Sequence, residues 1–225
     1  MYRANHLTGF GGADTVKFEV THVGDTGLVT LGATANPVTV SSVDLGSFAG
    51  TKHVILSVYA NAEPGPITGV TIAGETATII IEEGSGVHKQ NQSAIVICEL
   101  SGVTSGDIVI TVTGTYNPSK YAISVYQMTK GSITPTDTWG PSFVANPTGT
   151  INIAEGGFCL SMAAALTSST FTWSGLTERF DATANPANSV AADFNMSAET
   201  GRTITATPSG SPSQRVGIGA SFQAA

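Results

Sequence analysis

The sequence predicts an all-β protein: an antiparallel β-sandwich built from two divergent β repeats, with an N-terminal arm ahead of them. Three observations carry this. Short runs rich in Val, Ile, Thr and aromatics recur along the chain, each bounded by Gly, Pro, Asn or Ser. No window combines a 3.6-residue apolar period with an N-cap and a closing Gly, and "MAAAL" (162–166) is too short to make a helix of its own. Finally, "GDIVITVTG" (106–114) and "GRTITATPSG" (201–210) write the same hairpin edge twice, a Gly-led turn, an Ile/Val–Thr alternation and an exit through Gly.

In chain order, the first 36 residues read as the arm. "LTGFGGADT" sets three glycines beside two apolar side chains, a composition suited to an extended, adaptable segment. "VGDTGLVTLG" (23–32) reads as a tight hairpin turning at Gly-Asp-Thr-Gly. Strand signals fall at 15–23 within this N-terminal segment, then at 38–45, 53–60, 76–83, 93–100, 107–114 and 121–128, and again at 149–156, 158–166, 171–176, 202–208 and 215–223. The stretch 130–149, with three prolines, is the natural joint.

The neighbours of the doubled edge are doubled too. Residues 54–72 lie against 158–176, with Leu56-Ser57 on Leu160-Ser161; residues 93–114 lie against 188–210; and "YAISVYQ" lies against "GIGASFQ", with Tyr126-Gln127 on Phe222-Gln223. Three matches in one order predict an arm at 1–36, a first repeat at 37–131 and a second at 132–225. Two copies make either a pair of small sandwiches or one sandwich of two similar halves.

Composition narrows the function. Only 11% of the 225 residues are charged, Gly reaches 26, and the net charge is −7 with a pI near 4.9. A phosphate backbone would be repelled, so no nucleic-acid partner is expected. Neither a membrane span nor a secretory signal is visible. Cys98 and Cys159 both stand in apolar runs, which predicts two buried, unbridged thiols.

No pattern asks for a cofactor or a metal: His6, His22, His53 and His88 are scattered, and "DATANPANS" lacks regular calcium-ligand spacing. Nucleophile-elbow and phosphate-loop motifs are missing, so no catalytic residue is assigned. The carboxylates available to a glycosidase, Glu82, Glu83, Glu99, Glu155, Glu178 and Asp181, read as solvated strand residues. Tyr116, Trp139 and Trp173 stand near turns with Asn and Ser neighbours and form a candidate sugar platform, although Trp173 also reads as an inward core residue. In the arm, Tyr2, Leu7 and Phe10 are the candidate assembly contacts.

"VTIAGETATIIIE", "TSGDIVITVTG", "YAISVYQMTKG", "FTWSGLTERFDAT", "RTITATPSG" and the closing "GIGASFQ" together resemble small β-rich virion proteins of tailed bacteriophages. The resemblance implies a non-enzymatic virion structural protein, a capsid decoration (cement) protein or a tail or fibre component. It would be made in the bacterial host cytoplasm and carried on the virion, on the capsid surface in preference to the tail. The partners it implies are the major capsid protein or other virion proteins, within a homo-oligomer. The alternative is a carbohydrate-binding module touching a host surface glycan through the aromatic loops.

Overall fold

The computed structural model describes residues 18–31, 36–61, 65–85, 91–113, 118–140, 146–183, 186–212 and 214–225. The first repeat comprises β1 (Glu19–Asp25), β2 (Val29–Thr30), β3 (Val38–Asp44), β4 (Lys52–Asn61), β5 (Ile67–Ile72), β6 (Glu75–Thr76), β7 (Thr78–Ser85), β8 (Asn91–Leu100), β9 (Ser105–Val112) and β10 (Lys120–Thr129). The second comprises β11 (Asp137–Trp139), β12 (Thr148–Ile153), β13 (Gly157–Ala165), β14 (Phe171–Ser174), β15 (Glu178–Ala182), β16 (Ala187–Met196), β17 (Glu199–Pro208) and β18 (Arg215–Phe222). Every pairing is antiparallel.

The duplication is written in the strand order. The larger sheet of the first repeat runs β1-β10-β4-β8-β7, with β2 also on β10, and that of the second runs β11-β18-β13-β16-β15. The smaller sheets run β3-β9-β5-β6 and β12-β17-β14. Substituting each strand by its counterpart converts one repeat into the other, except that β2 and β6 have no equivalent. The twice-written edge is thereby placed: it supplies β9 and β17, the strands that β3 and β12 flank in the two small sheets.

Two sandwiches result, fused back to back. One core lies between the sheets of the first repeat, around Leu56, Val58, Ile72, Val96, Ile108 and Ile123. Two smaller clusters fill the second sandwich, around Ile151, Cys159 and Ile204 and around Ala163, Phe171 and Ala206. A fourth cluster joins the large sheets to each other, with Ile55, Tyr59, Ile95 and Tyr126 packed on Phe158, Leu160, Met162, Ile218 and Phe222. Each large sheet is therefore covered on both faces. That is why β4 and β13 are buried almost end to end while β3, β9 and β17 alternate.

Three sequence expectations change. Residues 19–30, assigned to the arm, form an edge of the first repeat: Glu19–Asp25 pair with Thr129–Ser124, and Val29 and Thr30 pair with Tyr121 and Lys120. "VGDTGLVTLG" is no hairpin, because both of its arms pair with β10. The Thr26 N–H donates to Ile123 O at 2.9 Å and the Ile123 N–H to Thr26 Oγ1 at 3.0 Å, carrying the edge across the glycines. The match of Leu56-Ser57 to Leu160-Ser161 is one residue out of phase. Leu56 faces its own sandwich and Leu160 faces the other repeat, whereas Tyr126 and Phe222 do share a face. A one-residue slip turns every side chain to the opposite face, and the shared Leu-Ser pair conceals it. Residues 1–17, with Tyr2, Leu7 and Phe10, lie outside the described residues.

Cys98 and Cys159 are buried and free, as their apolar runs predicted.

Candidate functional site

The sheet edges constrain how the molecule meets a partner. Bulges interrupt β1 at His22/Gly24, β3 at Val40/Val43, β7 at Ile79/Ile81, β12 at Ile151/Ile153 and β15 at Glu178/Phe180. The other outer strands among the described residues, β2, β6, β11 and β14, are two to four residues long. Bulged and short edges resist the addition of a foreign strand.

The two tryptophans mark one flank on each side of the second sandwich. Trp139, on β11, is only 6% exposed, so its ring is no platform for a sugar. The indole lies over Gly149, Gly217 and Gly219, where a methyl group would collide with the ring, and its Nε1–H donates to Ser161 Oγ at 3.2 Å. The three glycines make room for the largest side chain, which plugs the gap between β11 and β12. Trp173, on β14, is half-buried against both cores of the second sandwich, and its Nε1–H donates to Ser189 Oγ at 2.9 Å. Tyr116 lies outside the described residues, so the expected three-ring platform reduces to one partly accessible indole.

Beside Trp173 stand two carboxyl groups pushed upward in pKa. Burial raises that of Asp181 to about 6, helped by the charge of Glu178 and opposed by the Phe171 backbone N–H. Burial likewise raises Glu178. Asp181 Oδ1 is shielded and has no hydrogen-bond partner among the described residues. The other carboxylates are occupied structurally or stand apart: Glu155 Oε2 accepts the Ala198 N–H at 2.8 Å, and Glu99 lies 3.3 Å from His53 Nε2. Among the described residues no group of three or more His, Cys, Asp or Glu side chains is placed to hold a metal.

Sequence reasoning missed the open flank of the first sandwich. There a cleft of about 280 Å³ opens between β1 and β3, floored by Val23, Val40, Val43 and Val125 and edged by Asp25 and Asp44. No motif marks it, because its lining comes from strands that are far apart in sequence.

The chain matches no family model, no curated protein and no solved structure. Fold and flank geometry are therefore what speak for function.

Proposed function

We propose that the protein is a non-enzymatic structural component of a tailed-phage virion, a capsid decoration protein that binds the shell and stabilises it as part of a homo-oligomer. The observation that carries this reading is the core shared between the repeats. By covering both faces of both large sheets it turns two small sandwiches into one stiff body, which suits a part that must keep its shape on a particle. The low-charge surface and the motif-level likeness to phage virion proteins point the same way. The bulged edges direct attachment away from strand addition onto this molecule. The test is electron cryo-microscopy of particles produced with and without the protein, paired with add-back of purified protein. Extra density on the shell, lost without the protein and restored by add-back, is expected. Density at a tail or fibre tip would favour the host-contact alternative, and no particle-associated density would refute both.

The sugar-binding alternative rests among described residues on Trp173, whose ring is partly accessible beside Glu178 and Asp181. Saturable glycan binding that Trp173→Ala abolishes would establish it.

A further inference from the structure

An indole, a hydroxyl and two carboxyl groups meet where β14 and β15 pass each other. The two are outer strands of different sheets with no ladder between them, so side chains close this flank. The Trp173 Nε1–H donates to Ser189 Oγ at 2.9 Å, and the Ser189 hydroxyl donates to Phe180 O at 2.9 Å, tying β14 to β15 through one residue of β16. Asp181 stands directly across the ladder from Ser189, and Glu178 across from Ala191 two positions on, so both carboxyl groups share the face on which Trp173 packs. Asp181 Oδ1 is shielded there with no hydrogen-bond partner among the described residues. A neutral carboxyl group tolerates such a place; a carboxylate does not, because an ionised oxygen kept from water costs far more than a neutral one. Bulged β15 and four-residue β14 are the elements that yield most cheaply when water must enter.

We propose that this flank is a proton-operated latch, closed over Trp173 while Asp181 keeps its proton and open, with the indole presented to solvent and partners, once that proton is lost. Burial first, and then the charge of Glu178, hold the proton on Asp181 up to about pH 6 against the opposing pull of the Phe171 N–H. Among the described residues no other charge acts on Asp181: β14 carries none, Asp193 of β16 lies 3.6 Å from Arg179, and Glu199 and Arg202 of β17 pair with each other at 2.8 Å. Whatever contacts Trp173 therefore meets a half-buried ring on the acid side of the step and a freer one on the alkaline side. The latch is a property of this chain alone and rests on neither functional reading above.

The test follows solvent exchange of the two indole N–H protons by nuclear magnetic resonance of the full chain across the acid-to-neutral range. Trp139, buried and bonded to Ser161 Oγ, is the internal reference, and Trp173→Phe assigns the other signal. Exchange at Trp173, taken relative to Trp139, should rise roughly tenfold or more in a single step centred near the Asp181 pKa of about 6. Asp181→Asn should abolish the step and leave the latch closed throughout. Glu178→Gln removes the like charge and should move the step to lower pH without abolishing it, which decides the matter if Asp181→Asn does not fold. No step in the parent chain, a step shared by both indoles, a step that survives Asp181→Asn, or one that Glu178→Gln leaves unmoved would overturn the proposal.

Discussion

Trp139→Ala should be the most damaging of the single aromatic truncations in the second repeat. The residue is 6% exposed, so nearly all of its side chain is lost from a packed environment. Burying a tryptophan removes about 150–250 Å² from water, which at about 25 cal/mol/Å² amounts to roughly 4–6 kcal/mol. The Nε1–H bond to Ser161 Oγ adds about 1 kcal/mol. Relaxation of the flank, which opens toward solvent, returns part of this, so a net loss of about 4 kcal/mol is expected. The glycines at 149, 217 and 219 have no side chains with which to fill the hole. For a chain of this size that corresponds to a fall in Tm of roughly 8–16 °C. Trp173→Ala, at a half-buried edge, should cost about 1–2 kcal/mol. Urea unfolding followed by far-ultraviolet circular dichroism measures both, and the shared core predicts a single transition for the two repeats. Equal losses for the two variants, or a loss below about 1 kcal/mol for Trp139→Ala, would refute the plug assignment.

Asp181 binds its proton more tightly folded than unfolded, with a native pKa of about 6 against an ordinary 3.8. Its contribution is therefore fully present below pH 3.8 and is lost as pH rises through 6, so Asp181→Asn should stabilise by about 1 kcal/mol at pH 7, after discounting for solvent screening, and by nothing at pH 3.5. A gain independent of pH would contradict this. Burial pushes the Cys159 thiol up to about 12 and raises that of Cys98, so a thiol reagent at pH 8 should label neither until the protein unfolds. Gln127 Oε1 accepts the Phe48 N–H at 3.0 Å, and Lys52 Nζ donates to Gly46 O at 2.8 Å in the same loop. Gln127→Ala should cost about 1–2 kcal/mol and speed hydrogen exchange at Phe48, while exchange in β8 stays slow.

What the sequence revealed follows the range of the physics involved. Alternation is a local signal, so β3, β9 and β17, whose outer faces meet water, could be read directly. Duplication was legible because three segments repeat in order. Phase was not: the shared Leu-Ser pair favoured one register, while the face that each residue buries, a property of the partner sheet, dictated the other. β11 was hidden because its three residues lie in a proline-rich stretch and become a strand only by pairing with β18. The role of Trp139 was hidden for a related reason. Its cradle is assembled from Gly149, Gly217 and Gly219, residues on strands about 70 positions apart along the chain. Trp173 could be read as inward-facing, but the Ser189 hydroxyl that anchors it comes from β16, which carries few β-branched residues.

The junction between the repeats has a topological consequence. Glu19 pairs with Thr129, while Ala224 bridges Gly131 and the Ala225 N–H donates to Lys130 O, so the start of β1 and the end of the described chain flank the same short step. A bridge of about five residues would span them. Cutting at that step and joining Ala225 to Phe18 would give a circular permutant in which the second repeat is synthesised first and every strand pairing is kept. None of these pairings requires the first repeat to precede the second along the chain, so the permutant is expected to fold whichever half leads.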